Sequence, residues 1–272
     1  MKPLELFIGP CMLESRELAM EVAKELKNQL APFEGQIRMS FKGSFDKANR
    51  SSIDSYRGPG LEKGLAILSE VKEKYGYELI TDFHTPEQAQ EVAKVVDTLQ
   101  VPAFLCRQTD MIIAGAKACA ENKGRLKIKK GQFLSPAETK NIVDKAENFL
   151  PKESILLTER GSSFGYNHLI VDMTSFQIMK SFGVTTIHDA THCVQRPGAL
   201  GKVTGAYREG IPALARAALA AGADGIFMEC HPNPEKAKSD STSCLKVTEV
   251  RELIGGLLKI YQLVQKEGFY HE

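Results

Sequence analysis

Three cationic side chains lie in the stretch from Phe41 to Ser52, which reads FKGSFDKANRSS. They are Lys42, Lys47 and Arg50, with Asn49, Ser51 and Ser52 beside the last two. An Arg grips a phosphate through a fork of donors, whereas a Lys offers a movable point charge. The neighbouring hydroxyls and amide suit a polyol or a second phosphate. Composition alone favours a solvated basic loop, but residues farther along the chain favour a binding site.

Four residues of metal-ligating type fall at or just after strand-like runs. They are Cys11, His192, Glu229 and Asp240. A thiolate, an imidazole and two carboxylates brought together would hold a divalent metal of mixed softness, such as Fe, Mn, Co or Zn. Taken alone, Cys11 is more typical of a small buried hydrophobic residue. The long-range spacing therefore indicates a metal site only if the fold unites the four.

Two further cations, Lys129 and Arg160, follow later strand-like runs. Each alone is compatible with a solvated charge at the end of a strand. Together with Lys42 they would form a pocket for a small phosphorylated carboxylate, because bidentate pairing fixes the orientation of such an anion.

Short apolar or β-branched runs alternate with longer amphipathic runs, which is the pattern of a parallel sheet covered by helices. The predicted strands are 4–9, 36–42, 78–83, 98–104, 125–130, 154–160, 185–191 and 225–230. The predicted helices are 17–30, 60–75, 86–96, 111–121, 136–149, 174–182, 212–221 and 247–265. Eight such pairs predict an α/β fold of the TIM (β/α)8 barrel type. A doubly wound open sheet is the alternative, but no G-x-G-x-x-G follows a strand.

Each predicted strand ends in a side chain able to do chemistry. In chain order these are Cys11, Lys42, Asp82, Gln100, Lys129, Arg160, His192 and Glu229. The carboxyl ends of TIM-barrel strands surround one mouth, where active sites of this fold lie. The glycine-rich segment from Gly198 to Gly210 predicts a mobile lid over that mouth. The segment from Phe164 to Tyr166 predicts a turn beneath which its two aromatic rings pack.

Composition limits the other possibilities. The 272 residues suffice for a large core in one domain, residues 1–272, and a net charge of +1 gives no reason to expect nucleic acid or a membrane as partner. No apolar run approaches the ~20 residues of a membrane span. The six Cys lack the spacing of a zinc ribbon or of a secreted disulfide framework. We therefore expect a cytoplasmic protein.

Nine sequence segments form a family pattern. They read G-P-C, F-K-G-S-F-D-K-A-N-R-S-S-I, S-Y-R-G-P-G-L, P-A-F-L-C-R-Q-T-D, K-K-G-Q-F, T-E-R-G, F-G-Y-N, D-A-T-H and M-E-C-H-P-N-P. From about Phe7 to about Leu245, the chain thereby resembles 3-deoxy-D-manno-octulosonate 8-phosphate (KDO8P) synthases. The K-A-N-R-S-S element is the most specific, since the related 3-deoxy-D-arabino-heptulosonate 7-phosphate (DAHP) synthases typically read K-P-R-T there.

The resemblance implies a reaction and a set of site residues. Phosphoenolpyruvate condenses with D-arabinose 5-phosphate and water, giving KDO8P and phosphate, a step toward the KDO sugar of lipopolysaccharide. The implied phosphoenolpyruvate site comprises Lys42, Lys47, Gln100, Lys129 and Arg160, with Lys130 as the alternative to Lys129. The implied arabinose 5-phosphate contacts are Asn49, Arg50 and Ser51. The implied catalytic residues are His192, Asp82, Lys47 and Asp240.

The resemblance also implies metal dependence and a homotetramer. Cys11, His192, Glu229 and Asp240 match the ligands of the metal-dependent class. Relatives that work without metal have Asn in place of Cys11, so the thiol marks the class.

Three other functions remain open from the sequence. A DAHP synthase would use erythrose 4-phosphate, which the segment Asn49-Arg50-Ser51 disfavours. A Schiff-base aldolase would need Lys129 or Lys130 in an apolar pocket with a lowered pKa. A barrel that only binds a sugar phosphate would not need chemically equipped side chains at every position of the rim.

Overall fold

A computed structural model describes residues 1–50, 52–200 and 203–267 of the chain. Its main feature is a closed barrel of eight parallel strands, as the sequence predicts. The strands are β1 (Leu4–Gly9), β2 (Ile37–Lys42), β3 (Glu78–Asp82), β4 (Thr98–Val101), β5 (Arg125–Lys129), β6 (Ile155–Glu159), β7 (Thr185–Asp189) and β8 (Gly225–His231). Strand β8 pairs with both β7 and β1, which closes the sheet.

A helix follows each strand and covers the outside of the barrel. The helices are α1 (Arg16–Leu30), α2 (Leu61–Tyr75), α3 (Ala89–Ala93), α4 (Thr109–Glu121), α5 (Lys140–Ala146), α6 (Ser175–Lys180), α7 (Ile211–Ala220) and α8 (Val250–Glu267). Helices α3 and α5 are shorter than predicted because 3-10 turns at Pro86–Gln88 and Ala137–Thr139 precede them. None of the described helices is long and apolar enough to cross a membrane.

The barrel separates two cores, because neighbouring side chains of a strand point to opposite faces of the sheet. On β1, Leu6 and Ile8 belong to the large core beneath the helices, whereas Phe7 points inward. The inward core consists of Phe7, Ile80, Leu156, Ile187 and Phe227, all fully buried. On β5 the positions 127 and 129, two apart on one face, are both lysines. The barrel interior therefore becomes polar toward the carboxyl ends of the strands.

The fourth predicted strand is too long. The prediction extends it to Phe104, whereas β4 ends at Val101. Pro102 follows, and a proline has no N–H to donate to a neighbouring strand. The chain then turns into a 3-10 helix at Ala103–Leu105.

Two predicted loops contain hairpins. One hairpin overlaps the predicted lid, because Gln195–Leu200 pairs antiparallel with Val203–Ala206. The mobility of the lid stays a prediction. The aromatic turn joins the short strands Ser162–Ser163 and Leu169–Ile170. The prediction that its rings pack beneath the turn is wrong, because Phe164 and Tyr166 are 71% and 95% exposed.

The close approach of β1 to β2 requires glycine at position 9. A Cβ on Gly9 would lie 2.0 Å from the carbonyl oxygen of Lys42. We expect Gly9→Ala to lower the free energy of unfolding by about 1–3 kcal/mol, as overpacking does. The control is Gly256→Ala in α8, where a Cβ meets nothing within 4 Å. That exchange should raise stability by about 1 kcal/mol through helix propensity. Equal urea midpoints for wild type and Gly9→Ala would contradict the close contact.

Candidate active site

A cavity of about 760 Å³ opens at the carboxyl ends of the barrel strands. We call it the mouth cavity. Most residues predicted for the site line it, namely Lys42, Lys47, Asn49, Arg50, Asp82, Gln100, Lys129, Arg160, His192, Glu229 and Asp240. Cys11 is buried next to this lining, in contact with Asp240 and Lys47. Ser51 lies outside the described residues. The barrel thus unites side chains that are far apart in the sequence.

Three of the four predicted metal ligands form one tight group. Ligand atoms of Cys11, Glu229 and Asp240 all lie within 4.8 Å of one another. The Nε2 atom of His192 is 3.6 Å from Glu229 and 3.8 Å from Asp240. Among the described residues, Oε2 of Glu229 is buried without a hydrogen-bond partner. A soft thiol, an imidazole, two carboxylates and an unsatisfied oxygen fit a divalent transition metal.

The thiol of Cys11 is protonated in this arrangement. Burial raises its pKa, and the charges of Asp240 and Glu229 raise it further. The Sγ atom accordingly donates to Oδ2 of Asp240 at 3.0 Å. A metal ligand must be a thiolate, so metal binding at this group would release a proton.

Two lysines lie between the ligand group and the rest of the mouth cavity. The amine of Lys42 is 2.8 Å from Oε1 of Glu229, and it also donates to the carbonyl oxygens of Pro10 and Cys11. The amine of Lys47 is 2.6 Å from Oδ2 of Asp240 and 3.2 Å from the Cys11 sulfur. Burial opposes the charged form of Lys42, but the charge of Glu229 prevails and raises its pKa. Both amines therefore remain cationic beside the cavity.

Two further cations line the cavity. Lys129 is 2.7 Å from Oδ2 of Asp189. Arg160 donates from Nη2 to Oε1 of Gln195 at 3.0 Å, and among the described residues its buried Nη1 has no hydrogen-bond partner. A phosphate oxygen is a suitable acceptor for such a donor. We refer to Lys42, Lys47, Lys129 and Arg160 as the inner cations.

Lys129 and Lys130 point in different directions, and only Lys129 of the two lines the cavity. Lys130 is fully buried away from the mouth cavity, where it contacts Ser162 at 2.9 Å and Glu159 at 3.4 Å. Lys129 lines the cavity. This difference follows from strand geometry, because adjacent residues point to opposite faces.

Asp82 and Gln100 form a hydrogen-bonded pair on neighbouring strands. Asp82 and Gln100 are direct partners in the β3–β4 register. The Gln100 amide donates to one carboxylate oxygen of Asp82, and the Ser44 hydroxyl donates to the other at 2.6 Å. Burial opposes ionisation of Asp82, but Lys42 and other cations hold its pKa well below the usual 3.8. Asp82 is therefore an anion that only accepts hydrogen bonds.

The sequence analysis missed several residues that position the site. They are Ser44, Lys127, Asp189 and Gln195. Gln195 joins Arg160 to Asp240, to whose Oδ1 it donates at 2.9 Å. Asp189 accepts from Nδ1 of His192 at 3.0 Å, which leaves Nε2 directed to the carboxylates. The position of Lys127 could have been inferred from the sequence. It lies two residues before Lys129 in the same strand, so both side chains are on the same face of the sheet.

Arg50 lies at the outer edge of the cavity. Its guanidinium donates at 2.7 Å to the backbone carbonyl oxygens of Tyr56 and Lys238. The side chain is thereby held at the rim, while the inner cations lie deeper.

The chain is similar to known proteins over nearly its whole length. Residues 2–264 match the DAHP synthetase I family. The chain belongs to this family. A relative from Protochlamydia amoebophila is 45% identical over 267 residues, covering 98% of this chain and 94% of the relative. Relatives from Variovorax paradoxus and Cupriavidus necator are each 47% identical over 276 residues, covering all of this chain and 95% and 93% of theirs.

These three relatives have the same name, 2-dehydro-3-deoxyphosphooctonate aldolase. That name denotes KDO8P synthase. The resemblance inferred from the nine sequence segments is therefore confirmed over the full length of the chain.

The depressed pKa of Asp82 makes stability depend on pH. Its ionised form contributes stability that is present above the usual pKa of 3.8 and is lost as the pH falls below that value. We expect the stability advantage of wild type over Asp82→Asn to shrink in acid, by up to ~1.4 kcal/mol per pH unit. Urea unfolding at pH 6, 4 and 3 measures this difference.

The matched control is Asp54→Asn on the exposed surface. Its difference from wild type should stay small throughout. A constant difference between wild type and Asp82→Asn from pH 6 to pH 3 would contradict the ionised, cation-stabilised Asp82.

Proposed function

We propose that the chain condenses phosphoenolpyruvate with D-arabinose 5-phosphate and water to give KDO8P and phosphate, a step toward the KDO sugar of lipopolysaccharide. The observation that supports this most strongly is the convergence of four inner cations on one cavity, in a chain 45–47% identical to proteins named for this product. Phosphoenolpyruvate has a carboxylate and a phosphate on adjacent atoms. A compact anion of this kind suits a compact group of cations.

The inner cations bind and orient phosphoenolpyruvate. Within the described part of the chain, Arg160 has a donor without a partner, which can bond a phosphate oxygen, and Lys129 also lines the cavity. Lys42 and Lys47 contact two of the candidate metal ligands, Glu229 and Asp240. Holding the anion at both ends fixes C3 of phosphoenolpyruvate against the aldehyde of the sugar, and such orientation replaces a two-body encounter. Gln100 and Asp82 complete this part of the site.

Arabinose 5-phosphate enters with its phosphate at the rim. Asn49 and Arg50 line the outer part of the cavity, and we include Ser51 from the family pattern. The phosphate of this sugar is at the far end from its aldehyde. A phosphate held by Arg50 therefore directs the aldehyde inward, toward the inner cations.

The bond changes balance without a further reactant. C3 of phosphoenolpyruvate bonds to the aldehyde carbon, whose oxygen gains a proton and becomes a hydroxyl. Water adds its hydroxyl to C2 and supplies the proton that the aldehyde oxygen gains. The bond from C2 to the phosphate-bearing oxygen then breaks, phosphate leaves with the proton of the new C2 hydroxyl, and C2 becomes the keto carbon of KDO8P. Asp189 holds Nδ1 of His192 and leaves Nε2 beside Glu229 and Asp240, where Nε2 serves in proton transfer when it does not ligate a metal. Lys47 and Asp240 lie in contact at the same place.

We further propose that Cys11, His192, Glu229 and Asp240 hold a divalent metal ion, such as Fe, Mn, Co or Zn. The bound ion would supply Lewis acidity toward the aldehyde oxygen or toward the attacking water. The contacts among these four residues and the unsatisfied oxygen of Glu229 support this assignment.

A Schiff-base mechanism is disfavoured by the surroundings of both candidate lysines. Lys129 is ion-paired with Asp189 and does not lie in an apolar pocket. Lys130 is fully buried and points away from the mouth cavity. Neither offers the accessible, apolar amine that a nucleophilic lysine requires.

We also propose a cytoplasmic homotetramer. All six Cys are unpaired and buried, which suits a reducing compartment. Exposed aromatic residues support burial in an assembly, namely Phe104, Phe133, Phe164 and Tyr166. Sedimentation equilibrium tests the tetramer directly.

Turnover and metal dependence are measured together. We expect phosphate release with phosphoenolpyruvate plus arabinose 5-phosphate, and much less with erythrose 4-phosphate. A strong chelator should abolish turnover, and added Mn, Co or Zn should restore it selectively. Cys11→Ser should weaken metal binding, measured by calorimetry, whereas the buried Cys106→Ser should not. Full activity after chelation would overturn the metal proposal, and no turnover with arabinose 5-phosphate would overturn the function.

Substitutions of Arg160 and Arg50, the two arginines proposed to bind phosphate, should affect the KM values of different substrates. Arg160→Gln should raise KM for phosphoenolpyruvate, and Arg50→Gln should raise KM for the sugar phosphate, each by about tenfold or more because charge-assisted hydrogen bonds are lost. The other substrate's KM should change much less. Equal effects of both variants on both substrates would contradict the deep and outer positions proposed for the two phosphates.

A further inference from the structure

Lys127 is a buried cationic residue whose role neither the motifs nor the mouth cavity explains. It lies in β5 and is fully buried inside the barrel. Its amine is 4.6 Å from the centre of the Phe227 ring and 5.4 Å from that of Phe7. Among the described residues it forms no ion pair with a carboxylate, and burial together with the charge of Lys129 lowers its pKa. Such burial is unfavourable for folding.

The one polar side-chain contact of Lys127 in the described structure is to Gln100. The amine donates to Oε1 of Gln100 at 2.8 Å. The other end of the same amide donates to Asp82, which also accepts from Ser44. Ser44, Asp82, Gln100 and Lys127 therefore form one continuous hydrogen-bonded relay from the cavity wall to the barrel interior.

The relay determines which way the Gln100 amide faces. Asp82 is ionised and can only accept, so the amide nitrogen must face Asp82. The amide oxygen must then face inward, where Lys127 supplies the donor. Without that donor, Oε1 would be a buried acceptor with no partner, and the amide would lose the interaction that opposes its rotation.

We propose that Lys127 is a positioning residue that holds Gln100, and through it Asp82, in the orientation that binds phosphoenolpyruvate. This inference rests on the proposed function, because it assigns Gln100 and Asp82 to that substrate. Lys127 does not line the mouth cavity, whereas Gln100 and Asp82 do. Its effect on the substrate must therefore pass through Gln100.

The rings of Phe7 and Phe227 give Lys127 apolar surroundings of the kind that a Schiff-base lysine requires, but its depth in the barrel excludes that activity. The side chain is fully buried. Gln100 and Lys129 line the cavity above it. A keto acid in the mouth cavity would not reach the amine. Borohydride reduction with pyruvate should therefore leave Lys127 unmodified, and a pyruvyl adduct on Lys127 would overturn the positioning role.

The direct test compares phosphoenolpyruvate binding by wild type, Lys127→Met and Lys127→Gln, measured by calorimetry without the sugar. Met matches the length of Lys and removes the donor, whereas Gln retains one. We expect the Kd of Lys127→Met to rise about 10- to 100-fold, as for a buried acceptor left without its donor. Lys127→Gln should recover part of this loss. If Lys127→Met does not fold, the smaller Lys127→Leu replaces it.

A double-mutant cycle distinguishes positioning from general damage to the core. If Lys127 acts through Gln100, Lys127→Met should add little to the defect of Gln100→Ala. The control is Lys130→Met, which removes an equally buried lysine outside the relay. It should lower thermal stability but leave the Kd within about twofold, since it touches neither Gln100 nor Asp82.

Two results would overturn the inference while leaving the proposed function in place. One is a Kd for phosphoenolpyruvate that is the same in Lys127→Met as in wild type, while the wild-type enzyme turns over both substrates. The other is a double-mutant cycle in which the fold-changes in Kd caused by Lys127→Met and Gln100→Ala multiply, as they do for independent residues. Failure of wild type itself to turn over phosphoenolpyruvate with arabinose 5-phosphate would overturn the proposed function, and this inference with it.

Discussion

The site depends on the burial of cations at one end of a barrel. Charged groups removed from water are unfavourable unless they are paired. In this chain, Lys42, Lys129 and Arg160 are each at least nine-tenths buried, and all face one cavity. The same removal from water strengthens their attraction for an anion, because electrostatic interactions grow as the local dielectric falls. The arrangement is thus unfavourable for folding and favourable for binding a small, multiply charged anion.

The protein offsets the unfavourable burial of these charges by pairing three of the four inner cations with a carboxylate. Glu229 contacts Lys42, Asp240 contacts Lys47, and Asp189 contacts Lys129. Arg160 instead bonds to the neutral Gln195, and within the described ranges its Nη1 has no hydrogen-bond partner. Glu229 and Asp240 are also candidate metal ligands, and Asp189 accepts a hydrogen bond from His192, so the carboxylates that pair with the cations also bring the candidate ligands to them. Pairing for stability and placement for catalysis are therefore performed by the same contacts.

Much of this could be predicted from the sequence, because the barrel follows from a regular alternation of apolar runs and amphipathic runs. Once eight parallel strands are assumed, residues such as Lys42 and Glu229 must meet at one rim. The end of β4 could also have been placed correctly, since Pro102 interrupts the strand. Because adjacent residues of a strand point to opposite faces of the sheet, the sequence alone could have shown that only one of Lys129 and Lys130 faces the cavity.

Other features depend on contacts that no local pattern encodes. The bond between Lys127 and Gln100 and the bridge from Arg160 through Gln195 join different strands and loops. Their partners are set by barrel register and side-chain packing. The hairpin beginning at Gln195 also escaped prediction, since its glycines are typical of loops.

The central claim is that the inner cations form a site for one compact anion that carries both a carboxylate and a phosphate. The most direct measurement is the thermal unfolding midpoint of the protein against increasing phosphoenolpyruvate, compared with pyruvate and with inorganic phosphate. A ligand that binds only the folded state raises stability in proportion to RT ln(1 + [L]/Kd). We predict a saturable rise for phosphoenolpyruvate at concentrations where neither fragment has an effect. An equal rise with inorganic phosphate alone, or none with phosphoenolpyruvate, would contradict a site built for both charges together.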